Sequence, residues 1–219
     1  LEAGCHVFLE KPIAEEVSGA EALIALAQAK NRKLVAGYIL RYHPSWKKFI
    51  EISQNLGKPL VMRMNLNQQS SGAQWETHLN LLHSISPVVD CGIHYVDVMC
   101  QMTQAKPIRV SGIGARLSDE IGADKINYGQ LQVTFDDGSV GWYEAGWGPM
   151  MSETAYSVKD VIGPAGSVSF VKPNKTSLGE SADVSGHVET EVIYRHHSAL
   201  NGERQFAQVG VEISTEDEP

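Results

Sequence analysis

The sequence predicts an α/β chain in two parts. Residues 1–40 form the end of a doubly wound parallel sheet, and residues 41–219 an α/β domain with a large, mostly antiparallel open sheet. Three observations carry this. Two short apolar runs flank one segment of helical period near the start. Two more helix-period segments follow before residue 105. From Ile108 onward, alternating runs separated by glycine-bearing turns dominate.

Taken in order, Leu1, Glu2 and Ala3 before Gly4 read as the last turn of a helix closed by glycine. The chain is therefore expected to start inside an element, with any targeting segment upstream of it. Val7–Leu9 reads as a strand. From Ser18 to Lys30, Ala20, Leu23, Ile24 and Ala27 recur at helical spacing, with Ser18 and Glu21 set as a capping box. Leu34–Ala36 is a second strand ending at Gly37. Residues 6–38 are thus one βαβ unit, parallel and right-handed. One such unit cannot close a domain, so further strands before Leu1 are expected.

The boundary falls near Ile39–His43. Pro44–Asn55 is a helix whose apolar side holds Trp46, Phe49, Ile50 and Ile52, and Leu60–Leu66 alternates as a strand. The polar residues 67–80 are expected to be a loop. Pro87–Met102 is expected to be one helix, with proline in its first turn, where the missing donor costs nothing. Strands are then expected at Ile108–Ala115, Gly129–Phe135, Val140–Trp147, Tyr156–Ile162, Val168–Val171 and Val188–Tyr194. Asp136-Asp137-Gly138-Ser139 is a hairpin signal, and Gly163-Pro164-Ala165-Gly166 reads similarly. Such a sheet has one face on helices and one open to water or a second subunit.

The chain has 219 residues, 42% hydrophobic, and a net charge of −8 with no Lys/Arg-rich run. A nucleic-acid partner is excluded on that ground, because neutralising phosphates takes clustered cations. No apolar stretch approaches the ~20 residues that cross a bilayer, so no membrane partner is expected. Cys5, Cys91 and Cys100 cannot all pair and form no Cys-x-x-Cys; free thiols in a reducing cytoplasm fit this.

Two constellations carry chemistry. Glu10-Lys11-Pro12 stands where the first strand ends, and ligands of open α/β sheets bind at the carboxyl ends of parallel strands. A surface ion pair beside a turn proline is the alternative. Asp90, His94 and Asp97 stand at i, i+4 and i+7 on the Pro87 helix, on one face, beside an apolar stripe of Val89, Ile93, Val96 and Cys100. A carboxylate one turn from a histidine can accept one ring N–H and leave the other nitrogen to take a proton. The alternative is that the two carboxylates solvate the helix and satisfy the imidazole. His78 with His83, and His196 with His197, match no zinc spacing and read as surface or loop histidines. Trp75, Trp142 and Trp147 are candidates for a sugar site, with core packing the stronger reading for Trp142 and Trp147. Neither Gly112-Ile113-Gly114 nor the Gly163 turn completes G-x-G-x-x-G, so these 219 residues lack a pyrophosphate loop and are not expected to hold a dinucleotide alone.

The stretch from Ala3 to Pro12, then Gly37-Tyr38 with Arg41-Tyr42-His43-Pro44, then Asp90-Cys91-Gly92-Ile93-His94-Tyr95-Val96-Asp97, resembles the Gfo/Idh/MocA oxidoreductase family. The resemblance implies an N-terminal Rossmann domain binding NAD or NADP, and a C-terminal α/β domain whose open sheet joins homodimers or homotetramers. It implies a sugar, polyol or cyclitol such as inositol as substrate. Glu10, Lys11 and Pro12 then fall on the cofactor side, and Lys11, Arg41, Asp90 and His94 on the substrate side. His94 would be the proton acceptor, Asp90 would orient it or bind a substrate hydroxyl, and Lys11 would contact the reacting hydroxyl. Many members carry a glycine-rich segment before the aspartate, where this chain has Ser84-Ile85-Ser86-Pro87-Val88-Val89. The competing reading is a non-catalytic relative that senses a ligand or serves as an oligomerisation module.

Overall fold

The computed structural model describes residues 1–152, 158–171, 192–197 and 207–211. The chain divides into two compact units, Leu1–Ile39 and Leu40–Pro219.

In the first unit, β1 (Val7–Leu9) pairs in parallel with β2 (Leu34–Ala36), and α1 (Val17–Ala29) connects them. The expected capping box does not form. The N-cap is Glu16, with no side-chain cap, because the helix starts two residues early and puts Ser18 inside its first turn. Here α1 buries Ala27 and leaves Ile24 exposed.

The second unit is an eight-stranded sheet with helices on one face. Its strands are β3 (Val61–Gln69), β4 (Pro107–Ala115), β5 (Tyr128–Phe135), β6 (Val140–Gly148), β7 (Lys159–Gly163), β8 (Gly166–Val171), β9 (Val192–His197) and β10 (Ala207–Val211). They lie in the order β10-β9-β8-β7-β3-β6-β5-β4. All pairs are antiparallel except β3 with β6. The expected strand stretches 156–157 and 188–191 lie outside the described residues, and β10 was not expected.

The helices are α2 (Pro44–Gln54), α3 (Ala73–Leu81), α4 (Pro87–Asp90) and α5 (Gly92–Thr103), after a 3-10 turn at Ile39–Arg41. Two expectations are corrected here. Residues 67–80 are not a loop: β3 continues through Gln69, and α3 follows, burying Trp75 and His78. Pro87–Met102 is not one helix but two, joined at Cys91, and the first turn after the joint is tightened by the His94 N–H reaching Cys91 O at 3.1 Å. The apolar stripe is also rotated from its expected place. Val89 is exposed and Ile93, Val96 and Cys100 are half-buried, whereas Cys91, His94, Tyr95, Val98, Met99 and Met102 face the sheet.

Apolar burial drives this layer. α2 lies on β7 and β8, α3 on β6, α4 on β5 and β6, and α5 on β6. Trp46 packs edge-on against Phe49, Tyr95 and Phe170, with centroids 5.6, 5.8 and 5.0 Å away. Full burial of each such side chain is worth roughly 1.5–3 kcal/mol. The other sheet face stays open. There, Ile162, Val61 and Val140 are lateral neighbours across β7, β3 and β6, and all three are exposed.

Gly92 is required where α5 meets β6. A Cβ at this position would lie 3.0 Å from two ring carbons of Tyr143, whose ring is fully buried and stacked on Tyr95 at 4.5 Å. The ring has no room to retreat. Gly92→Ala is therefore expected to destabilise the chain by about 1–3 kcal/mol, although Ala gains about 1 kcal/mol of helix propensity over Gly. Denaturant unfolding checks this, and an alanine variant as stable as the parent would contradict it.

The β5–β6 turn carries a pH-sensitive contact. Partial burial raises the Asp137 carboxyl, but the Ser139 backbone N–H at 2.9 Å, the Ser139 side chain and the Lys58 ammonium at 3.5 Å outweigh that and hold it below its ordinary 3.8. A lowered folded value means stability that is present above the unfolded value and lost as pH falls through the folded one. The melting temperature of the parent should exceed that of Asp137→Asn near neutrality, and the gap should close as pH drops below 3.8. A gap constant down to that pH would contradict the assignment.

Candidate active site

The first unit contributes the end of β1. Glu10, Lys11 and Pro12 follow its last residue directly, and Gly37 follows β2, its parallel partner. A Cβ on Gly37 would lie 2.9 Å from the Glu10 carboxylate, so the lack of a side chain there lets the Glu10 carboxylate pack against the chain. Lys11 is half-buried.

The second unit contributes the α4–α5 segment. Ser86 caps α4, its hydroxyl accepting from Val89 N–H at 3.4 Å, and Pro87 occupies the first turn. Cys91 keeps right-handed helical angles, so Asp90 and His94 remain on successive turns despite the break. His94 is 4% exposed and Asp90 is half-buried. A carboxylate near water beside an imidazole turned into the sheet can hold one ring N–H or a ligand hydroxyl. Asp97 has a different task. Its carboxylate accepts both Nε (2.8 Å) and Nη2 (2.5 Å) of Arg41, tying the 3-10 turn to α5.

Beneath these residues lies a buried polar assembly that the sequence reading missed. Gln68 and Trp147 are register partners in the parallel β3–β6 pair, and Trp147 Nε1 donates to Gln68 Oε1 at 2.7 Å. His78 stacks on the Trp147 ring at 4.5 Å and 9°, with Nδ1 2.9 Å from Ser70 Oγ. His78 is therefore a buried core histidine and not a surface one. The reason is α3, which turns it onto Trp147. Trp147 and Trp75 are buried, the Trp75 indole donating to Glu120 at 3.2 Å, while Trp142 is half-buried on the open face. The side chains of His196 and His197 lie outside the described residues. The signal for Gln68 was present: it continues the alternation of Met62, Met64 and Leu66 on the helix-side face.

Electrostatics keep the neighbours neutral. Burial first, and then Cys91, Tyr95 and Asp90, push the Tyr143 phenol well above its ordinary value. Burial and Asp97 push the Cys100 thiol up in the same way. A groove of about 760 Å³ runs along α2, lined by Arg41, Tyr42, Lys47, Lys48, Glu51 and Gln101 among others. It holds no imidazole, and its carboxylate Glu51 is paired with Lys48 at 3.1 Å, so acid–base chemistry is better placed at Asp90 and His94. Among the described residues, no helix is long and apolar enough to cross a membrane, and no group of three His, Cys, Asp or Glu could hold a metal ion.

Comparison with known proteins gives a consistent result. Residues 1–38 match the family model described as oxidoreductase family, NAD-binding Rossmann fold, and residues 47–168 match the GFO/IDH/MocA C-terminal domain. The chain is 22% identical over 216 residues to inositol 2-dehydrogenase 3 of Saccharopolyspora erythraea, covering 94% of this chain and 59% of that protein. It is 26% identical over 147 residues to UDP-N-acetylglucosamine 3-dehydrogenase of Acidithiobacillus ferrooxidans, covering 64% of this chain and 40% of that protein. The solved structure of the latter aligns with a TM-score of 0.68 at 19% identity, covering 99% of this chain and 58% of that one. The WlbA dehydrogenase of Chromobacterium violaceum, solved with NADH and UDP-GlcNAcA, shares the fold at a TM-score of 0.64 and 18% identity, over 84% of this chain and 56% of that one. This chain thus spans under two thirds of the length of each of these relatives. With more than half of its residues matched by the C-terminal family model, the chain belongs to the GFO/IDH/MocA oxidoreductase family.

Proposed function

We propose that this chain supplies the substrate-side machinery of an NAD(P)-dependent dehydrogenase acting on a secondary alcohol of a sugar, polyol or cyclitol. The observation that carries the reading is the buried His94 one turn from the more exposed Asp90. The family match and the names of the relatives support the substrate class.

The residues present fit one end of a dinucleotide. Glu10, Lys11 and Pro12 stand at the carboxyl end of a parallel strand, where a nicotinamide ring would lie, but the 219 residues contain no G-x-G-x-x-G to cradle a pyrophosphate. When bound, a nicotinamide supplies the exchange of a hydride with the carbinol carbon. The protein's own part is acid–base and electrostatic. His94 takes the hydroxyl proton, Asp90 holds the imidazole or a second hydroxyl, and the Lys11 ammonium stabilises charge developing on the oxygen. Arg41, which stands with Asp97, fixes α5 and borders the substrate side. Free thiols at Cys5, Cys91 and Cys100 fit a reducing cytoplasmic compartment.

The kinetic test needs a polypeptide of the relatives' length that includes this chain, assayed with cyclitols, sugars and nucleotide sugars. Lys11→Ala and His94→Ala are each expected to cut kcat by roughly 10² or more, and Asp90→Asn by less. A His94→Ala variant with parental turnover from about pH 6 to 9 would remove the proton-acceptor role.

The open sheet face is proposed to pair with a second copy of the chain. The exposed apolar row Ile162–Val61–Val140 and the half-buried Trp142 beside the Arg63–Asp160 pair suit a partner better than water. A two-fold pairing covers one such patch with another. Sedimentation at tens of micromolar, a range of roughly the usual dimer affinities, should give about twice 23.9 kDa or more. A clean monomer would exclude this contact.

A further inference from the structure

Cys91 sits at the joint between α4 and α5, next to Asp90, and is 6% exposed. Its Sγ lies 3.6 Å from Gln68 Oε1 and 3.7 Å from Asp90 Oδ2. A thiol has one proton, so it serves one of these acceptors at a time. Gln68 Oε1 is already held at 2.7 Å by the indole of Trp147. Because an indole donates and cannot accept, that bond settles which end of the Gln68 amide faces inward: the oxygen. The carboxylate of Asp90 is the stronger acceptor, since hydrogen bonds to ionised groups are roughly twice as strong as neutral ones.

We propose that the Cys91 thiol donates to Asp90 Oδ2 and fixes the rotation of that carboxylate, so that Oδ1 is the oxygen turned to an imidazole or a substrate hydroxyl. The catalytic consequence rests on the acid–base reading of Asp90 above. Cys91 is a positioning residue that acts through Asp90. Gln68, held by Trp147, whose ring is clamped by His78, which is in turn held by Ser70, borders the sulfur at 3.6 Å.

The S–H stretch absorbs in a part of the infrared spectrum clear of other protein bands, and the loss of one band in Cys91→Ala or Cys91→Ser identifies this thiol among the three cysteines. In this chain, Asp90→Asn is expected to move the Cys91 band to higher frequency, because a charged acceptor is lost. Gln68→Leu is expected to leave it in place. A band that moves with Gln68→Leu and not with Asp90→Asn overturns the proposal, as does a band at the frequency of an unbonded thiol. These outcomes do not depend on activity.

In the family-length polypeptide, Cys91→Ala is expected to lower kcat/KM about two- to fivefold, the scale of one weak S–H···O bond. Cys91→Ser, which keeps a donor, is expected to restore it. If Asp90→Asn impairs turnover and Cys91→Ala does not, the positioning role is overturned. An Asp90→Asn variant with parental turnover would overturn the acid–base reading and with it the catalytic consequence, while the infrared result would still decide the hydrogen bond.

Discussion

The ring of Tyr143 sets the height at which α5 rests on the sheet. It lies against Tyr95 at 21° between planes, and the first residue of the helix must be glycine to clear it. With the helix seated this closely, its first turn sends His94 into the interior while Asp90, before the joint, keeps contact with solvent. The difference in environment between carboxylate and imidazole is therefore a product of packing between α5 and β6. Because burial holds the phenol neutral, the stack adds no charge beside Asp90.

Polar contacts then fix what packing leaves free. Lys58 Nζ donates to the carbonyls of Met102 and Thr103 at 3.2 and 2.7 Å, a cation at the C-terminus of α5 where the helix dipole favours it. Arg41 grips Asp97 midway along the same helix. Exposed ion pairs contribute only about 0–1 kcal/mol, and four large apolar side chains of α5, Tyr95, Val98, Met99 and Met102, are fully buried. Burial therefore holds the helix down, and the charged contacts choose its rotation and tilt.

Much of this was legible in the sequence because it is local. The β1–α1–β2 unit, α2 with Trp46 and Phe49, and the Asp-Gly hairpin between β5 and β6 each follow from spacing within about a dozen residues. The parts that were not legible are the non-local or polar ones. β3 inserts between β7 and β6, a pairing that no turn signal announces. α3 buries a tryptophan and a histidine among polar neighbours, so its segment carries no apolar stripe. The buried face of β3 ends in Gln68, whose burial depends on a partner 79 residues away, Trp147. The break at Cys91 shifted the apolar face of the Pro87 segment, which is why the expected stripe was found at the edge of the interface. Asp90, His94 and Lys11 stand out in the sequence because they sit in short motifs, while Gln68, His78 and their pairing with Trp147 do not, because that pairing joins distant segments.

The acid–base reading proposed above turns on His94 as the acceptor of a substrate hydroxyl proton, with Asp90 one turn before it. The most direct measurement is a crystal structure of the family-length protein with NAD(P)H and a bound polyol. That reading predicts a ligand hydroxyl within about 2.6–3.2 Å of a ring nitrogen of His94. A polyol bound with no contact to His94 or Asp90 would contradict it.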